Sequence, residues 1–172
     1  MAVLGRLVFL LSVLLVTGGC RGGAEQWGPF HGQVVDAETG QPITGAHVMV
    51  LWVREPPSLH VTERFYDAQE TVTNTDGRFE LARKTRLLTA FVRRPEVAVF
   101  ALGYMMQAPE VTPAGGRPYV DPTVVRMRPL KTREERCRYE PFGLLADAHA
   151  SVPQFIQAQR DYQRELKCAQ IR

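Results

Sequence analysis

The chain has 172 residues, 45% of them hydrophobic, with 21 basic and 18 acidic side chains and a net charge of +3. That is one domain's worth of ordinary globular composition, with enough apolar residues to bury a core. The slight positive balance is too small to argue for a nucleic-acid partner.

Residues 1–19 read as an export signal outside the fold. Arg6 is the only charge before the apolar run Leu7–Val16, which is too short to span a bilayer and is followed by small residues. The run ends in Thr17-Gly-Gly-Cys20, which resembles a bacterial lipoprotein signal, in which the cysteine is lipidated and becomes the new N-terminus. An ordinary secretion signal with an incidental cysteine is the alternative. Acyl chains on Cys20 would anchor the protein stably, since each buried methylene contributes about 0.8 kcal/mol. Arg21 follows the cysteine where an Asp would signal retention, and by resemblance to enterobacterial sorting this favours the outer membrane. The resemblance implies a cell-envelope location, lipid-anchored and facing the periplasm. Residues 20–28 then form the lipidated tether, polar from Gly22 to Gln26.

From Gly32 onward the pattern is β. Val34-Val35 is followed by Asp36-Ala-Glu-Thr-Gly40, residue types that bond their own backbone or accept positive φ, so a turn is expected. Pro42 fixes φ and removes a donor ahead of the next strand. Between Gly45 and Val53, Ala46, Val48, Val50 and Trp52 fall on one face; His47, Met49, Leu51 and Val53 fall on the other. Both faces are apolar, which suits a strand covered on two sides. Asp76-Gly77, between the β-branched run Thr71–Thr75 and the alternating Arg78–Leu81, predicts a hairpin.

Thr39-Gly-Gln-Pro-Ile-Thr-Gly-Ala46, the alternating strand after it, Thr75-Asp-Gly-Arg-Phe-Glu-Leu81, and the later Val97–Tyr104 stretch ending in Gly-Tyr resemble the carboxypeptidase regulatory-like domain. The match spans about residues 29–130 of one domain. The resemblance implies a mostly β fold, a seven-stranded antiparallel transthyretin-like or Ig-like β-sandwich. It also implies a habit of serving as an accessory module; it does not imply peptidase activity. The departures are a long loop over 54–69 containing Pro56-Pro57 and a basic insertion, Arg83–Arg86.

Further along, Leu87–Val92 and Val97–Leu102 read as compact strands joined through Pro95, and Thr123–Leu130 as a last strand with one solvated face. Residues 107–122, with four prolines and Gly115-Gly116, read as an exposed loop. The basic residues Arg83, Lys84, Arg86, Arg93 and Arg94 read as solvated loop charge.

Residues 131–172 read as a helical C-terminal extension. Thr132 and Glu135 have the spacing of a capping box, and a longer helix begins at Ser151, with Gln154 as its capping partner and Pro153 in the first turn. Val152, Phe155, Tyr162, Leu166 and Ala169 form one stripe, expected to pack on the β module, with docking of a partner as the alternative. Cys137 and Cys168 remain as an even pair in an exported chain and read as a disulfide. It would close a loop of about 32 residues, roughly 3.5–4 kcal/mol in the chain-entropy account. On an ideal helix Cys168 points away from the stripe, which leaves open a bridge at the helix end or a helix embraced from two sides.

No cofactor or metal is expected. His60 and Glu63 resemble two zinc ligands of metallocarboxypeptidases, but a catalytic zinc needs a third, and only His149 follows. The hydroxyisourate hydrolase pattern fails, because His31 precedes Asp36 by five residues rather than three and the C-terminal Tyr-Arg-Gly-Ser is missing. There is no Gly-x-Ser-x-Gly elbow and no phosphate loop. The expectation is a non-enzymatic, lipid-anchored envelope protein whose 54–69 and 107–122 loops meet an envelope protein or glycan, with Phe65, Tyr66 and Tyr119 as candidate contacts. The alternative is an assembly lipoprotein docking a partner through its C-terminal helix, and the remotest is a zinc hydrolase using His60 and Glu63.

Overall fold

The structure, a computed structural model, describes residues 25–55, 63–82, 84–86, 92, 95–109, 123–138 and 146–167. The strands are β1 (Glu25–Trp27), β2 (Phe30–Asp36), β3 (His47–Arg54), β4 (Arg64–Val72), β5 (Arg78–Leu81), β6 (Lys84–Arg86), β7 (Glu96–Phe100) and β8 (Thr123–Met127). Helix α1 (Arg133–Arg138), a 3-10 turn (Ala146–Ala148) and helix α2 (Pro153–Leu166) complete the order. The fold is mostly β: two three-stranded sheets, ordered β5-β2-β8 and β4-β3-β7, with a β1-β6 ribbon and a C-terminal helix.

Side chains from both sheets meet in one buried cluster. Phe30, Val34, Phe79, Leu81, Val125 and Met127 come from one sheet; Val48, Val50, Trp52, Val97 and Val99 come from the other. The opposite face of β3 and β7, with Met49, Leu51, Val53, Ala98 and Phe100, forms a second cluster with Val152, Phe155, Ile156 and Tyr162 of the helix. The two-faced alternation expected of the third strand is therefore used in full. Its one stripe faces the other sheet and its second stripe faces α2. The last strand also behaves as expected, with Val125 and Met127 buried and Val124, Arg126 and Arg128 exposed.

Several sequence expectations are corrected. β8 runs parallel to β2, from Gly32↔Thr123 to Asp36↔Met127, where an antiparallel arrangement was expected. A parallel pair cannot be joined by a tight turn, and here strands β3 to β7 all lie in the chain between its two members. Asp76-Gly77 makes a turn but no hairpin: β4 pairs with β3, while β5 pairs with β2. The reason lies in Thr73, a buried residue whose hydroxyl donates to Ile43 O (2.7 Å) and accepts from Ala46 N (2.8 Å), closing the β3–β4 ladder there. The chain then crosses between sheets. Asn74 holds the turn, its Oδ1 accepting from Asp76 N (3.0 Å) and Arg78 N (2.9 Å). Gly77, at φ +70, presses on β2 so closely that a Cβ would sit 2.4 Å from Val34 O.

Residues 25–27, assigned from sequence to the tether, form β1 against β6. Within the expected 54–69 loop, β4 already begins at Arg64. The Leu87–Val92 strand lies outside the described residues except for Val92, which bridges Arg54.

The C-terminal helix docks on its own chain. Val152, Phe155 and Tyr162 are buried and Leu166 is half-buried, so the described part of the apolar stripe is turned onto the protein itself. Its N-terminus is capped, though not by Ser151: no side chain in the local sequence serves as cap. Instead Glu70 of β4 accepts from Gln154 N (3.0 Å) and Phe155 N (2.8 Å). A carboxylate there satisfies orphan amides and meets the positive end of the helix dipole. At α1 the capping box forms as expected, Glu135 N donating to Thr132 Oγ1 (3.1 Å) and Thr132 N to Glu135 Oε2 (3.3 Å).

Candidate functional site

The topology gives the sheets two ends. At one, β1 enters β2 through Gly28-Pro29, β3 leaves at Arg54, β4 arrives at Arg64 and β8 begins at Thr123 opposite Gly32. At the other lie the Asp36–Gly40 turn, the Asn74–Gly77 turn and the bend through Gly103 and Tyr104.

The β1 end carries a cationic and aromatic group. Lys84 Nζ lies 2.6 Å from Asp67 Oδ2, both largely buried, and 5.6 Å from the centre of the Trp52 ring. The Arg54 guanidinium sits 4.9 Å over the Tyr66 ring, and Phe30 meets Trp52 edge-on at 5.9 Å. The register explains the convergence: Asp67 pairs with Trp52, and the shift between Trp52 and Val53 leaves Tyr66 without a pairing partner, so that Tyr66 joins Trp52 on the inner face while Phe65 keeps to the other. Tyr66 packs against the cluster between the sheets and Phe65 against the cluster under the helix. Two of the three proposed contact aromatics thus belong to strand β4 and fold back onto the protein. Tyr119 lies outside the described residues.

The opposite end is a set of structural ties. Asp36 Oδ1 accepts from Glu38 N (2.7 Å) and Thr39 N (2.8 Å), and its Oδ2 accepts from the Tyr104 hydroxyl (3.0 Å). The amide of Thr39, foremost among these donors, holds the Asp36 carboxyl below its ordinary range. Burial, with the bond to Asp36, pushes the Tyr104 phenol up. Lys131 pairs with Glu38 at 2.7 Å. Glu135 accepts from Lys131 N (2.7 Å), and that bond, first among several, lowers its carboxyl. The Gly-Tyr motif read from sequence therefore acts by tying the end of the β7 segment to the first turn.

The remaining candidates do not converge. Glu63 is exposed beside β4, and His149 lies half-buried after the 3-10 turn; His60 is outside the described residues. Among the described residues no three His, Cys, Asp or Glu side chains are grouped to hold a metal, and no helix is long and apolar enough to cross a membrane. Cys137 is half-buried in α1, while Cys20 and Cys168 lie outside the described residues. Sequence reading missed the Lys84–Asp67–Trp52 group, because its members are far apart in the chain and only strand pairing unites them. It also missed Glu70, which looks like one more polar residue on an edge strand.

No family model and no curated protein matches the chain. Among solved structures it is similar to a 9R-lipoxygenase from Cyanothece PCC8801, at 15% identity and a TM-score of 0.34, over 84% of this chain and 25% of that one. The chain thus spans a quarter of that enzyme's length, and a likeness so slight bears on neither fold family nor chemistry.

Proposed function

We propose that the protein is a non-enzymatic, lipid-anchored cell-envelope protein. Its β module is a transthyretin-like, seven-stranded sandwich of the carboxypeptidase regulatory-like kind, serving as a binding or accessory unit. The observation that carries the reading is the shared buried cluster between the two sheets, closed at one end by the Asp36–Gly40 and Asn74–Gly77 turns. Thr39–Ala46 and Thr75–Leu81, on which the family resemblance rests together with Val97–Tyr104, overlap these turns. The titratable groups described at either end are spent on pairing or capping rather than on a nucleophile–base contact.

Burial of Val152, Phe155 and Tyr162 against β3 and β7 supports the binding-module reading over docking through the helix. Cys137 is disulfide-bonded, which supports the pairing with Cys168. Arg133 also donates to Leu166 O (3.2 Å) and Lys167 O (3.3 Å), bringing α1 beside the end of α2. α2 stops at Leu166, where Lys167 takes a left-handed φ of 42°, which supports a bridge at the helix end. Lipidation at Cys20, processing after residue 19 and an outer-membrane, periplasm-facing location complete the proposal.

Metabolic labelling with an alkyne fatty acid tests the anchor: the wild type should carry the label and sediment with membranes, and Cys20→Ala should do neither. A pull-down from solubilised envelope tests the module, with retention of a stoichiometric protein or of insoluble glycan as the supporting results. A hydrolytic activity abolished by His60→Ala would overturn the non-enzymatic assignment.

A further inference from the structure

We infer that the β1 end of the sheets rests against the headgroup layer of the membrane that holds the lipid anchor, and that the Asp36 end points away from it. The inference rests on the lipoprotein reading of Cys20. The fold begins at Glu25, since β1 is already paired with β6. Five residue steps separate Glu25 from Cys20, and whatever path they take, they reach at most about 18 Å. β1 joins Phe30 through the two residues Gly28-Pro29, and Phe30 pairs with Leu81 and touches Trp52, so the anchor is leashed to the end where β3 leaves and β4 and β8 begin.

The eight residues of β3 extend on the order of 26 Å from there to the opposite end. The Asp36–Gly40 and Asn74–Gly77 turns and the exposed Leu102 therefore lie at the end of the sheets opposite the one the leash enters. The partner of the β1 end is the lipid headgroup layer. Arg64, exposed at that end, is of the residue type that headgroup phosphates attract, while Lys84 is paired with Asp67 and Arg54 lies over Tyr66. A protein or glycan partner would then meet the Asp36 end or the open face of the β5-β2-β8 sheet.

The test uses the full lipidated chain with one added thiol, at Ala82→Cys beside β6 or at Leu102→Cys at the far end; both positions are exposed. Each is labelled with an environment-insensitive fluorophore and reconstituted in vesicles of phosphatidylethanolamine and phosphatidylglycerol containing a headgroup-spin-labelled lipid. Quenching at position 82 several-fold above that at position 102 supports the orientation. Equal quenching, or the reverse order, overturns it while leaving the anchor intact. A wild-type protein that incorporates no fatty acid and stays out of the vesicles overturns the anchor and this inference with it.

Discussion

Removing the carboxylate of Glu70 separates the structural account of α2 from a local one. Glu70 sits on β4, yet it accepts from the amides of Gln154 and Phe155 at 3.0 and 2.8 Å. Glu70→Ala leaves both amides without that acceptor and takes a negative charge from the helix N-terminus. Loss of a cap costs about 1 kcal/mol, up to about 2. Loss of the charge–dipole contact adds roughly 0.3–1 kcal/mol. The expected total is about 2 kcal/mol, or about 4–8 °C in Tm for a chain of this size. Glu70→Gln keeps an acceptor without the charge and should lose about half as much. Ser151→Ala should change stability by less than about 0.5 kcal/mol, because no local side chain caps the helix. Urea denaturation of the mature protein reads all three as shifts in midpoint at constant slope. A local capping box would give the reverse order, with Ser151→Ala costly and Glu70→Ala neutral, and that result would refute the tertiary cap.

Three other outcomes follow from the same geometry. Gly77→Ala should cost about 3 kcal/mol or more, since the new methyl would collide with the Val34 carbonyl. Gly40→Ala, at φ +72 with open space around it, should cost about 1 kcal/mol, and thermal melts compare the two. Thr73→Val should lose about 1–3 kcal/mol by stripping partners from Ile43 O and Ala46 N, whereas Thr73→Ser should lose less in the same denaturation assay. Burial lowers the His47 pKa from its ordinary 6.5, with Glu70 opposing more weakly. The folded state then binds fewer protons, so this contribution to stability is present above pH 6.5 and is lost as the pH falls through the lowered value. Denaturation midpoints should drop as the pH falls below 6.5, and His47→Gln should flatten that slope.

The sequence made visible what one strand or one turn decides for itself. Alternation from Ala46 to Val53 assigned each side chain to its observed cluster. The Asp36 turn and the Thr132–Glu135 box needed only neighbours a few positions away, and both formed as read. Pairing partners were illegible, because Asp76-Gly77 specifies a reversal and says nothing about which strand receives Arg78–Leu81. That choice belongs to Thr73 and to the contact of Gly77 with β2. The same limit hid the group at the β1 end. Lys84 read as one cation in a basic run, while Asp67 and Trp52 gave no sign that it would lie between them.

Since β3 is sheathed on its outer side by α2, a boundary drawn after Leu130 on family resemblance cuts through one folding unit. A fragment stopping there would bare Met49, Leu51, Val53 and Phe100 to water as a continuous oily strip. Such a truncation invites self-association, so recombinant work on this protein, and any transplant of its β module into another scaffold, should carry the chain through α2.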